Sequence, residues 1–134
     1  MKNHRRIAAL LSSLVLSCFA VACSGERDVE AKGEVKLPAG SSAQPVLVEF
    51  YDLPKEEGGE EKKVDSLKLD KAGEFSKTIS VAGDKIRIFA LADGNGDGTC
   101  SQGEAWATVE VSIKDDDTLA STPVLELRQL DCPK

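Results

Sequence analysis

Seven short runs rich in β-branched and aromatic residues carry this chain, and no amphipathic stretch of helical period and useful length accompanies them. The segment Pro45–Tyr51 puts Val46, Val48 and Phe50 on one face, and Glu74–Val81 does the same with Phe75, Ile79 and Val81, Lys77 interrupting the stripe. Ala105–Ile113 places Ala107, Val109, Val111 and Ile113 opposite Thr108, Glu110 and Ser112. Lys85–Ala92 is the most apolar run and predicts a central strand buried on both faces. Gly33–Leu37, Lys63–Leu69 and Pro123–Leu130 complete the set, with Val124, Leu125, Leu127 and Leu130 as the apolar residues of the last. Pro38-Ala39-Gly40, Gly58-Gly59, Ala72-Gly73, Ala82-Gly83-Asp84 and Lys114–Asp117 supply turn chemistry between them. Short strands at near-regular spacing predict an all-β fold: a single seven-stranded antiparallel β-sandwich over residues 33–134, without a long helix.

Between the fifth and sixth runs lie twelve residues, Asp93-Gly-Asn-Gly-Asp-Gly-Thr-Cys-Ser-Gln-Gly-Glu104, with the spacing D-x-[DN]-x-[DN]-G-x5-E. Ca2+ is a hard cation that takes six to eight oxygens, and this spacing offers them from one segment. Asp93, Asn95 and Asp97 would give side-chain oxygens, Thr99 its carbonyl, Ser101 a direct or water-mediated ligand, and Glu104 a bidentate carboxylate. A glycine at position 98 permits the sharp bend. Such loops usually join two helices; here the flanks read as strands, which points to a structural site rather than a switch. Asn95-Gly96 and Asp97-Gly98 are also good turn formers without any metal. The acids at the first and twelfth positions are what a plain hairpin tip leaves unexplained.

The N-terminus has the parts of an export signal: Lys2, Arg5 and Arg6, then a mostly apolar Ile7–Ala22, too short for a comfortable membrane span. Ala20-Val21-Ala22-Cys23 resembles a lipobox, with Ala20 where Leu is usual; the resemblance implies cleavage after residue 22 and acylation of Cys23. Val15-Leu16-Ser17-Cys18 is a competing site, and an ordinary secretory signal is the alternative to lipidation. Residues 23–32 then form a lipidated cysteine and polar tether. Ser24 implies the outer membrane where sorting follows the enteric-bacterial rule. Cleavage would leave about 112 residues, and loss of Lys2, Arg5 and Arg6 takes the 17 basic residues to 14 against 23 acidic, a net charge of about −9. That balance argues against a nucleic-acid partner, because phosphate backbones are bound by Lys and Arg clusters. The expected contact is the membrane, through the lipid, with the domain itself a monomer. The only histidine, His4, leaves with the signal, which removes His-based catalysis and His-ligated zinc. Of the four cysteines, Cys100 and Cys132 remain for a disulfide in an oxidising envelope, or for two free thiols. The bridge would tie the loop to the C-terminal end and contribute roughly 3 kcal/mol by loop entropy.

The strand Lys85–Ala92, the D-G-N-G-D-G loop, Gly103-Glu104-Ala105-Trp106, the Gly33–Val35 opening and the Gly73-Glu74-Phe75 turn together resemble bacterial transthyretin-like (prealbumin-like, carboxypeptidase-regulatory-type) β-sandwich domains. The resemblance covers about Gly33–Leu130 and implies a non-enzymatic structural or adhesion module, with no ligand carried over. Repeats and a catalytic partner domain are its missing parts. The expectation is therefore an envelope lipoprotein whose calcium-stabilised domain binds or supports, without catalysis. One rival is a carbohydrate or surface-adhesion module using Trp106, with Tyr51, beside the ordered loop; a lone Trp there more often packs over the core edge. The other rival is a metal-dependent hydrolase held by Asp93, Asp97 and Glu104; it has no histidine, no G-x-S-x-G elbow and no activated nucleophile to support it. The charged Leu53–Lys63 segment reads as a solvated loop.

Overall fold

The computed structural model describes residues 25–134, and every regular element among them is a strand. In chain order these are β1 (Arg27–Lys36), β2 (Val46–Asp52), β3 (Lys62–Leu69), β4 (Glu74–Val81), β5 (Lys85–Ala92), β6 (Ala105–Ser112), β7 (Val124–Glu126) and β8 (Arg128–Gln129). They form a three-stranded sheet in the order β4-β1-β7 and a five-stranded sheet in the order β3-β2-β5-β6-β8. Residues from both sheets bury their inner faces in one apolar cluster, led by Phe50, Ile79, Ile86, Ile88, Leu125 and Leu127. Each such side chain contributes roughly 1.5–3 kcal/mol when fully buried. Phe50 from the larger sheet meets Phe75 from the smaller edge to face, with ring centroids 6.0 Å apart.

Three expectations need correction. The first strand starts at Arg27, six residues before Gly33, so residues 27–32 are sheet rather than tether. Val29, Ala31, Gly33 and Val35 are its inward positions. Small Ala31 and Gly33 among Arg27, Asp28, Glu30 and Lys32 make the segment look like a polar spacer. Gly33 is required: a Cβ there would lie 2.5 Å from the Phe75 ring and 2.9 Å from the Pro123 carbonyl oxygen. The last run, Pro123–Leu130, is two strands instead of one. β7 pairs with β1 in the smaller sheet and β8 with β6 in the larger, the chain crossing between sheets at the buried Leu127. The count is thus eight, and the β1–β7 pair is parallel, Glu34 to Val124 and Val35 to Leu125, not antiparallel.

Lys77 explains its own break in the stripe. It occupies an inward position of β4, yet its Nζ runs to the open edge, donating to the Ser66 carbonyl at 2.8 Å and pairing with Asp65 at 3.0 Å. β5 lies between β2 and β6, with Ile86, Ile88, Ala90 and Ala92 facing the shared core. Its outward Phe89 and Leu91 join Leu47 in a second, smaller cluster on the outer face of the larger sheet. That second cluster, together with the β5–β6 turn, positions everything described next.

Candidate metal centre

β5 and β6 are antiparallel neighbours, paired from Lys85–Ser112 up to Leu91–Trp106, so the chain between them must reverse over residues 93–104. The Asp93 amide donates to the Pro45 carbonyl at 3.1 Å, which holds the loop's first residue against the start of β2. Asp93 is consequently only 5% exposed. Its Oδ2 accepts from the Gly98 amide at 2.9 Å, folding the loop back across itself. Gly98 has φ +73°, a backbone region that side chains resist, which is why glycine stands there.

The same device repeats along the loop. Asn95 Oδ1 accepts from the Asp97 amide at 3.1 Å, and Asp97 Oδ1 accepts from the Thr99 amide at 2.9 Å. Glu104 Oε2 accepts from the Ser101 amide at 2.8 Å. Asp97 Oδ2 receives Asn95 Nδ2 at 3.1 Å and Ser101 Oγ at 3.4 Å. Donation from the Thr99 amide, more than the side-chain donors, holds the Asp97 carboxyl below its ordinary range. Every carboxylate thus spends one oxygen on the loop's own backbone. Oxygens of Asp93, Asp97 and Glu104 all lie within 4.8 Å of one another. Of the six expected ligands, these three converge. Asn95 and Ser101 are tied to the same Asp97 carboxylate, and Thr99 enters as a backbone donor.

Two buried side-chain polar atoms lack a hydrogen-bond partner among the described residues, Arg87 Nε and Asp93 Oδ1, and the second lies in this loop. An unsatisfied buried acceptor costs about 1–3 kcal/mol, and more when charged, so such atoms are rare in settled protein interiors. A cation among the three carboxylates would satisfy it.

Cys100 and Cys132 are joined, with Cα atoms 5.7 Å apart. Cys100 packs on the outer cluster of Leu47, Phe89 and Leu91, as do Tyr51 and Trp106. Trp106 is half-buried against Phe89, ring centroids 5.8 Å apart, and its Nε1 donates to the Asp131 carbonyl at 3.1 Å. The indole is therefore engaged with its own chain.

Beside the disulfide the structure reveals a polar group that the sequence does not announce. Glu49 is 8% exposed on the outer face of β2, accepts from Tyr51 Oη at 2.6 Å, and pairs with Lys63. The Arg87 guanidinium stacks 4.6 Å from the Tyr51 ring centre and pairs with Glu61. Burial, followed by the bond to Glu49, pushes the Tyr51 hydroxyl up to about 12. Glu49, Tyr51, Glu61 and Arg87, with Phe89, Thr99 and the disulfide, line a cleft of about 430 Å³. In V-L-V-E-F-Y the one acid reads as an ordinary outward position; Tyr51 is its neighbour two residues along β2, and pairing with β3 brings in Lys63. Glu61 belongs to the charged segment expected to be solvent-facing, and it is the residue of that segment that reaches Arg87.

Among known proteins, no family model, no curated protein and no solved structure matches this chain. The fold and the loop together define its class: an all-β, two-sheet domain with an acidic cluster at a strand-to-strand turn.

Proposed function

We propose that residues 93–104 form a calcium loop and that the chain is a non-enzymatic, envelope-anchored lipoprotein. The domain would be a transthyretin-like or Ig-like β-sandwich, monomeric, serving as a structural or binding module. Its signal segment (residues 1–22) and Cys23 lie outside the described residues; cleavage there, acylation of Cys23 and outer-membrane placement are part of the proposal and rest on the sequence pattern alone. The observation that carries the calcium reading is the buried, unpartnered Oδ1 of Asp93, a residue whose carboxylate has an oxygen within 4.8 Å of oxygens of two further carboxylates. Asp93, Asp97 and Glu104 would hold the ion, with Asn95, Thr99 and Ser101 adding neutral oxygens. Oxygen donors alone, offered by one short segment with no histidine or thiolate, match a hard cation of variable geometry better than zinc or copper. Magnesium demands near-ideal octahedral geometry and keeps several waters, which an all-protein loop satisfies less well.

A site of this kind stabilises the fold rather than reshaping it, because its flanks are paired strands with no helix pair to open. The indole packed on Phe89, with its N–H engaged, weighs against a sugar platform at Trp106. The non-enzymatic reading rests on the residues left between 25 and 134, which include no histidine to serve as base. Thermal unfolding of the purified protein in EDTA, in calcium and in magnesium tests the proposal. At a calcium concentration of about a hundred times Kd the native state gains about 2.7 kcal/mol. A melting temperature indifferent to calcium would return the loop to a plain hairpin turn.

A further inference from the structure

Cys100 stands at the eighth position of the loop, between Thr99 and Ser101. The loop's two ends are held by β5 and β6, whose last paired residues are Leu91 and Trp106. Its middle has no such support from the sheet: residues 94–99 are exposed, and Gly96, Gly98 and Gly103 all have positive φ. The bridge to Cys132 supplies a third anchor. Cys100 rests on Leu47, Phe89 and Leu91, while the segment bearing Cys132 is held through β8 pairing with β6 and through Trp106 Nε1 on the Asp131 carbonyl.

Gathering three carboxylates within 4.8 Å is opposed by their mutual repulsion and by the entropy of a glycine-rich segment. A cross-link at the midpoint removes part of that freedom before any cation arrives, which is preorganisation in the ordinary sense. We propose that the Cys100–Cys132 bridge is a positioning element of the cation site, so that calcium affinity depends on the redox state of this pair. The inference rests on the calcium reading above and adds its regulation. Reduction by a dithiol breaks the S–S bond. Two electrons and two protons pass to the cysteines, giving two thiols, while the dithiol closes to its own disulfide. The freed loop midpoint must then be ordered at each binding event. Linkage makes the effect reciprocal: calcium favours the oxidised pair by the same factor that oxidation favours calcium.

Calcium titration by calorimetry of the purified protein, oxidised, reduced with dithiothreitol, and as the Cys100→Ser/Cys132→Ser variant, tests this, with circular dichroism recording the sheet signal. The oxidised protein binds more tightly by about 5- to 150-fold, the usual span of coupling between two sites. A bridge that only stabilises the fold would lower Tm and leave Kd unchanged; that outcome overturns the linkage and leaves the calcium loop standing. No calcium binding in either redox state overturns the calcium reading, and this inference with it. Should the reduced or double-serine protein lose its sheet signal, the wild-type disulfide is titrated against dithiothreitol couples with and without calcium. Saturating calcium then moves the midpoint to more negative potential by about 29.6 mV for each tenfold ratio of the two Kd values. The Asp93→Asn variant shows no such movement. An identical midpoint with and without calcium in the wild type refutes the coupling.

Discussion

Replacing Asp93 by Asn separates a cation site from a hairpin turn, because the two readings predict opposite signs. Asp93 makes one bond that any folded loop needs, Oδ2 accepting from the Gly98 amide at 2.9 Å. Asn retains an acceptor for it. What Asn changes is the other atom: the buried, unpartnered Oδ1 can become a neutral NH2 group, on a side chain whose carboxylate has an oxygen within 4.8 Å of oxygens of Asp97 and Glu104. In EDTA the substitution therefore removes an unsatisfied buried acceptor, a penalty of about 1–3 kcal/mol, and takes one negative charge out of a mutually repulsive cluster. The variant should melt at or above the wild type without calcium. With calcium at about a hundred times Kd, the wild type gains about 2.7 kcal/mol, or about 10 °C at about 4 °C per kcal/mol for a domain near this size. The variant should gain little, since it has lost a charged ligand. Differential scanning calorimetry in both conditions gives a crossing: variant above wild type in EDTA, below it in calcium. If Asp93→Asn melts well below wild type in EDTA, the carboxylate is serving as a turn-former in its own right, and the cation argument fails.

Two further outcomes concern the fold around the site. Tyr51 is the only tyrosine, so its titration can be followed by tyrosinate absorbance, and its midpoint should fall near 12 instead of the ordinary 10.0. Because the folded state keeps that proton where the unfolded state releases it, stability should decline as pH rises from about 10 to 12; Glu49→Gln should lower the midpoint. Gly33→Ala forces a methyl to 2.5 Å from the Phe75 ring and should destabilise by about 1–3 kcal/mol in denaturant unfolding, and a neutral result would show that Phe75 repacks freely.

Much of the sheet could be read in advance. Glu74–Val81 and Lys85–Ala92 have the boundaries expected from their residues, because strong alternation or a dense apolar run ends at an abrupt turn, Ala82-Gly83-Asp84. Where the reading failed, the side chains were small or the apolar run was continuous. Ala31 and Gly33 carry too little hydrophobicity to mark β1, although they face the core as fully as Val29. Val124–Leu130 carries enough, yet a one-dimensional pattern does not say that its two halves hydrogen-bond to different sheets. The disulfide was legible as a pairing, since Cys100 and Cys132 are the cysteines outside the expected signal and lipidation site; its placement on Phe89 and Leu91 was not.

For the loop, the sequence by itself determined which oxygens are available and in what order, because a twelve-residue spacing of acids, amides and glycines is a local property of the chain. It also determined that the flanks would be strands, through the period of their apolar residues. Tertiary structure decided the rest. Asp93 is buried because its amide bonds to Pro45, a residue 48 positions earlier in the chain, and burial is what makes an unpartnered Oδ1 informative. Arg87 meets Tyr51, and Lys63 meets Glu49, only because β5 and β3 flank β2 in register. Contacts between residues far apart in sequence are selected by the packing of whole sheets, and no local pattern encodes which strand will lie beside which.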